Sequence, residues 1–246
     1  MDLQKDIFSS INIMVNYNKK PVIKRKKRRV FRKKTFKPSF KSKVLAHYLS
    51  KVDGGLYAKI MEEGDPHENN KVAAGLATRD EAKIFIYAWL YGCGVDLTAG
   101  MLGLGPEETK AVRESFLKKT KGLERLKRAI EAKVLTGGFK SLDGRHIECD
   151  SGHKALNYLL QSSAAIIAKR WMLLVHKNME ALGYTSDDWE QYAFCHDELV
   201  LGAKPEVADV LLKVCKDSVH ETAEYYNLNV KLDSEGAKGE SWFDIH

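Results

Sequence analysis

Between Asp6 and Asp53 the 246-residue chain contains no acidic residue at all. The same region is crowded with cations. Residues 1–43 hold 15 Lys+Arg against 2 Asp, a net of +13, and the remainder holds 25 Lys+Arg against 31 Asp+Glu, a net of −6. The overall charge of +7 therefore divides into a very basic arm and a mildly acidic body. Cysteine is scarce as well. The four (Cys93, Cys149, Cys195, Cys215) are widely spaced with no C-x-x-C pair, which argues against a zinc site or a disulfide framework and for reduced thiols in a cytosol-like compartment. No run of about 18 apolar residues occurs, so no membrane-spanning helix is expected. The opening MDLQKDIFSSINIMV lacks a basic n-region and a continuous apolar stretch, so no secretory signal is expected either. Hydrophobic residues still make up 44%, too many for a wholly disordered chain and enough for one large domain or two small ones.

What is present divides near residue 43. KRKKRRVFRKK has the composition of a segment that binds polyanions or simply stays solvated; the arm is expected to be disordered or foreign to the body. Beyond it, VLAHYLSKVDGGLYAKIMEEG has helical apolar spacing with a Gly-Gly break. Thr78 is an N-cap candidate for a helix to about Tyr91, stopped by Gly92 and Gly94. PEETKAVRESFLKKTKGLERLKRAIEAKVL reads as one or two exposed amphipathic helices with Pro106 in a first turn. GGFKSLDGRHIECD predicts a hairpin around Asp143-Gly144. A long, mostly buried helix ends at Gly183. QYAFC and LVLG predict strands, KPEVADVLLKVCKDSVHETAEYY a helix, and the end a last strand and packed tail. The class is α+β with helices in excess, and no internal repeat is visible.

Three groups carry candidate chemistry. His196-Asp197-Glu198 falls between two strand candidates, at the tip of a tight hairpin. It is either an ordinary acidic turn or part of a divalent-metal seat, since Mg²⁺ prefers one or two carboxylates plus substrate phosphates. Such a seat needs a further carboxylate from another strand. Arg79, Lys83, Tyr87 and Tyr91 recur every four residues on one helix face. The cations occupy the N-terminal turns, where the helix dipole also favours anions. Tyr87 lies about 12 Å further on at 1.5 Å per residue, roughly the reach from a triphosphate to its base. A solvated basic turn followed by core tyrosines would look the same. Asn157 and Gln161 form an i, i+4 amide pair before Ser162, Ser163, Ala164 and Ala165. Such amides donate to minor-groove acceptors, which report pairing geometry rather than sequence, or they are satisfied amides near a helix start.

Taken in order, RDEAKIFIYAWLYG, LDGR, ALNYLLQSSAA and HDE resemble the carboxy-terminal half of family A DNA polymerases, of the bacteriophage replicative type. The likeness spans about 44–246 and includes LAHYLSKVDGGLYA, GDPH and the tail ending in His246. It implies a helix-rich fingers subdomain and part of the antiparallel-sheet palm of a polymerase right hand. It also implies template-directed nucleotidyl transfer in DNA replication, with primer–template DNA, deoxynucleoside triphosphates and Mg²⁺, in the cytoplasm (a host's, if phage-encoded). Arg79 and Lys83 would hold the triphosphate, Lys83 also aiding the leaving pyrophosphate. Tyr87 would stack on the base, His67 would be a nearby fingers contact, and Tyr91 would lie by the templating base. Arg145 and Gln161, with Asn157 beside it, would touch the minor groove. Asp197 would bind metal with Glu198 adjacent, and His196 would support the primer end.

The family's other metal carboxylate lies on a strand just before the helix matched by VLAHYLSKVDGG, followed five residues later by a Glu and then an Arg. Ungapped counting puts Phe36 at that Asp, Lys41 at the Glu and Lys43 at the Arg. The thumb and any proofreading exonuclease of the family are absent too. The expectation is a split or interrupted polymerase, catalytic only with a second chain that carries the thumb and the missing Asp. A variant has residues 1–43 translated from an intervening sequence. The other class of reading is a non-catalytic DNA- or nucleotide-binding remnant.

Overall fold

Two consecutive glycines set the first corner of the body. Gly54 and Gly55 adopt φ of 70° and 86°, conformations that side-chain-bearing residues avoid, and so separate α1 (Phe40–Asp53) from α2 (Leu56–Glu63). The Asp53 carboxylate closes the corner by accepting from Gly55 N–H at 2.8 Å and Tyr57 N–H at 3.0 Å. The computed structural model describes residues 29–35, 40–195, 198–240 and 244. Within them follow α3 (Pro66–Ala74), α4 (Arg79–Leu90), α5 (Val95–Leu102), α6 (Pro106–Lys119) and α7 (Lys121–Leu135). Pro106 takes the first-turn position expected of it. Two long helices, α8 (Gly152–Ala181) and α9 (Ala208–Tyr225), complete the series.

The core is drawn from nearly every helix. Leu45 of α1, Phe85 of α4, Phe116 of α6 and Leu159, Ile167, Trp171 and Met179 of α8 are all sealed from solvent. Phe85 and Phe116 meet edge to face at 5.1 Å, a preferred aromatic geometry. The Trp171 indole donates to the Cys215 carbonyl at 2.8 Å, so the largest buried ring also fastens α8 to α9.

Short strands β2 (Phe139–Lys140) and β3 (His146–Ile147) form the small hairpin expected around Asp143-Gly144. The main sheet has four antiparallel strands in the order β4-β5-β1-β6. They are β4 (Trp189–Cys195), β5 (Glu198–Ala203), β1 (Arg29–Thr35) and β6 (Ser234–Gly239). This is the helix-rich α+β class expected. No helix among the described residues is long and apolar enough to cross a membrane.

Within the basic arm the structure describes one strand and the start of a helix. Residues 29–35 are a strand bonded on both sides, and Phe40–Lys43 are the first residues of α1. Lys43 is 8% exposed, its ammonium donates to the Lys231 carbonyl at 2.8 Å, and burial lowers its pKa. Backbone pairing with two neighbours does not depend on side-chain charge, so a basic composition does not exclude a strand here. Residues 1–28 and 36–39 lie outside the described residues, as does the tail at 241–243 and 245–246.

One buried group makes the body sensitive to acid. His47, 3% exposed, accepts a hydrogen bond at Nδ1 from the Asn229 N–H. Burial, helped by the Lys51 charge, holds its pKa down at about 4 against an ordinary 6.5. The unfolded chain thus takes up this proton near pH 6.5 and the folded chain only near pH 4. The contribution is complete above pH 6.5 and is lost as pH falls toward 4, by about 3 kcal/mol. Urea midpoints from pH 7.5 to 4 should record that fall, and His47→Gln should remove most of it. Parallel pH profiles for the two proteins would contradict the assignment.

Candidate functional site

The N-terminus of α4 is built by a reciprocal cap. Thr78 Oγ1 accepts from the Glu81 N–H at 3.2 Å, and Glu81 Oε2 accepts from the Thr78 N–H at 3.0 Å. The next residue, Arg79, is exposed and donates from Nε to Asp65 Oδ2 at 2.7 Å. Asp65 in turn N-caps α3 by accepting from His67 N–H and Glu68 N–H. The bond from Arg79, with these backbone donors, brings the Asp65 carboxyl down to about 2. The Asp65 carboxylate is thus held by the side chain of the first residue of α4.

His67 and Tyr87 join this face, their ring centroids 6.3 Å apart. Burial first, then the charge of Arg79, lowers the His67 pKa, which favours the neutral imidazole. Its buried Nδ1 has no hydrogen-bond partner among the described residues. Behind Tyr87, burial pushes the Tyr57 phenol up to about 12, and its hydroxyl pairs with Asn70. Lys83 is exposed on the same face. Tyr91, the C-cap of α4, is 45% exposed. Lys41 of α1 donates to its hydroxyl, and the ammonium lies 4.1 Å from the ring centroid.

The predicted stop at Gly92 has a second reason beyond φ of 74°. A Cβ there would lie 2.8 Å from the His153 carbonyl oxygen, so glycine lets the end of α4 meet the start of α8. One turn further along α8, Gln161 Nε2 donates to Asn157 Oδ1 at 2.9 Å. The β2–β3 hairpin docks immediately beside this pair, Ser141 Oγ donating to Ser162 Oγ at 3.1 Å. Arg145, from that hairpin's turn, is exposed and donates to Asp143 Oδ2 at 2.5 Å. Tyr48 of α1 and Ser163 share a hydrogen bond of 2.8 Å on the adjoining face.

On the main sheet, Cys195 and Glu198 stand opposite each other in the β4–β5 register. Positions 196 and 197 fall between the two strands in sequence. His196 and Asp197 lie outside the described residues. Glu198 opens β5 and is buried. Among the described residues no three His, Cys, Asp or Glu side chains form a group that could hold a metal ion. The described donor set thus does not fit a Mg²⁺ site by itself.

His67 meets Tyr87 on the α4 face that also carries Arg79 and Lys83, and Asn157 meets Gln161; Arg145 pairs with Asp143 on the hairpin whose Ser141 reaches Ser162. Sequence reading missed Asp65 as the partner of Arg79, and Lys41 as that of Tyr91. Asp-Pro before a helix signals the Asp65 cap locally; neither long-range pairing has a local signal.

A family model described as DNA polymerase family A matches residues 43–244. The chain belongs to DNA polymerase family A. The DNA-directed DNA polymerase of Escherichia phage T7 is 32% identical over 221 residues, covering 82% of this chain and 31% of that protein. DNA polymerase I of Aquifex aeolicus is 26% identical over 174 residues, covering 67% of this chain and 30% of its own length. The solved POL domain of Pol1 from M. smegmatis, in complex with DNA primer-template and dNTP, has a TM-score of 0.72 at 20% identity. It shares the fold over 87% of this chain and 40% of its own. The chain thus spans about a third of the family A sequences it matches.

Proposed function

We propose that this family A chain forms the fingers and part of the palm of a DNA-directed DNA polymerase, which transfers nucleotidyl groups from deoxynucleoside triphosphates to a primer during replication. The α4 face carries the reading, with two cations at a capped helix N-terminus and two tyrosines toward the other end. The partners named for the M. smegmatis structure, primer–template DNA and dNTP, support it.

In this reading Asp65 marks where an anion belongs. An incoming triphosphate takes its place on Arg79 and gains Lys83 as a second cation. Tyr87 meets the base, with His67 at its side and the unpartnered Nδ1 available to the nucleotide. Gln161, oriented by Asn157, and Arg145 face the minor groove, Tyr91 the templating base and His196 the primer end. Asp197 and Glu198 supply one side of a metal seat. A second chain supplies the thumb and the other carboxylate. When bound, Mg²⁺ would neutralise charge on the reacting phosphates. A remnant that binds DNA and nucleotide without chemistry is the competing reading; complemented primer extension separates the two.

Lys83→Ala tests the face itself. A charge-assisted phosphate contact contributes about 1.5–3 kcal/mol, so deoxynucleotide affinity measured with primer–template present should fall by about 10- to 150-fold. The thermal midpoint should not move, because the side chain is exposed. Unchanged nucleotide affinity would remove Lys83 from the site.

A further inference from the structure

A cavity of about 330 Å³ adjoins α4, and the nucleotide reading makes no use of it. Its floor is apolar. Leu49 of α1, Ile86 of α4, Phe116 of α6 and Leu123 of α7 line it, each no more than 3% exposed. Leu56 lines it too and is 63% exposed, an apolar side chain left to water where an occupant would cover it. At about 30 Å³ per water the space equals about eleven waters, within the range of small-molecule sites.

The rim has the opposite chemistry. Lys118, Lys119 and Arg125 line the cavity and are exposed. The one carboxylate among the lining residues, Asp53, already accepts from the Gly55 and Tyr57 N–H groups. Two of the cations are positioned by backbone carbonyls. Lys119 donates to the Val72 carbonyl at 3.0 Å and Arg125 to the Val52 carbonyl at 2.7 Å, and the five N–H donors of a guanidinium leave Arg125 more to offer. Helix α7 starts from Thr120 at this rim with no side-chain cap, so its dipole adds to the positive field. Beyond residue 43 the chain carries 25 Lys+Arg against 31 Asp+Glu. A mouth with three cations to one engaged carboxylate departs from that balance.

We infer that this cavity binds a small amphipathic anion, an apolar body of about ten non-hydrogen atoms whose single acidic head meets Lys118 and Arg125, and that its occupancy is felt on the α4 face. Tyr57 makes the connection. It lines the cavity, Asp53 holds its N–H at 3.0 Å, its hydroxyl pairs with Asn70, and it lies within electrostatic reach of Tyr87. Ile86, the residue before Tyr87 in α4, lines the cavity as well. An occupant that touches both side chains favours one placement of α4 over others, which is all that coupling requires. The site goes beyond the nucleotide reading and does not depend on it.

Octanoate, octanol and octylammonium test the inference on the full chain, since they share an apolar tail and differ in the head. In calorimetric titrations octanoate should bind more tightly than either of the others by about tenfold or more, the worth of one charge-assisted hydrogen bond. Lys118→Glu combined with Arg125→Glu should reverse the order, so that octylammonium binds more tightly than octanoate. A fold weakened by losing the Arg125–Val52 contact could not produce that reversal. Lys118→Glu alone, at an exposed position, should weaken octanoate by about threefold and leave the urea midpoint in place. With ¹³C-labelled tyrosine, octanoate should shift the Tyr57 and Tyr87 resonances. Tyr184, which lines a separate cavity between α8 and β4, should stay where it is. Equal binding of the three probes, an order that survives the double substitution, or shifts that reach Tyr184 and spare Tyr87 would overturn the site. No nucleotide or DNA is present in these titrations, so their failure and a failure of the polymerase reading are told apart.

Discussion

Deleting residues 1–28 should flatten the salt dependence of DNA binding without unfolding the body. The segment carries 8 of the 15 cations in residues 1–43, five of them contiguous from Lys24 to Arg28. Each phosphate neutralised on duplex DNA contributes about −0.9 to the slope of log affinity against log salt. Five contacts then amount to a slope change of about 4 to 5, or on the order of 10²- to 10³-fold in affinity between 50 and 200 mM salt. The effect should be alike on unrelated duplexes, since a run of cations reads charge rather than base edges. The structure determines where the cut belongs. Removal of 1–43 would also take β1, the first residues of α1 and the buried Lys43 contact with Lys231, confounding binding with folding. Equal slopes with and without residues 1–28 would make the segment a bystander.

The parts of this fold that were legible in the sequence are those whose signals are local. Thr78 and Glu81 announce the α4 start three residues apart, and Gly92 announces its end. Gly54-Gly55, Pro106 and Asp143-Gly144 mark corners in the same way. The β4–β5 hairpin was legible because two short apolar runs bracket a polar pair, although both strands extend beyond the runs. What stayed hidden depends on partners distant in sequence. Arg79 reads as a free cation until Asp65 appears beside it, and Lys41 as part of a charged arm until it reaches Tyr91 fifty residues away. β1 was illegible for a stronger reason: its composition contradicts its place, and only the register reveals it. The candidate site divides along the same line. Its α4 face was readable as a stripe of period four, whereas the docking of the Arg145 hairpin on α8 required the Ser141–Ser162 contact.

The central claim is that this chain holds the nucleotide face and one side of the metal seat of a family A polymerase and lacks the other side. The measurement that tests it most directly is extension of a labelled primer by purified 1–246, alone and with the separately made remainder of the phage T7 relative. Asp197 lies in sequence between β4 and β5. Glu198 follows it directly in the chain and opens a buried strand, poorly placed to stand in for a carboxylate from a separate strand. Metal assistance contributes several kcal/mol to phosphoryl chemistry, and each 1.36 kcal/mol is tenfold in rate. The lone chain should therefore be slower than the complemented pair by on the order of 10³-fold or more. Asp197→Asn should return the pair to the level of the lone chain. Brisk synthesis by 1–246 alone, or complemented synthesis that survives Asp197→Asn, would contradict the account.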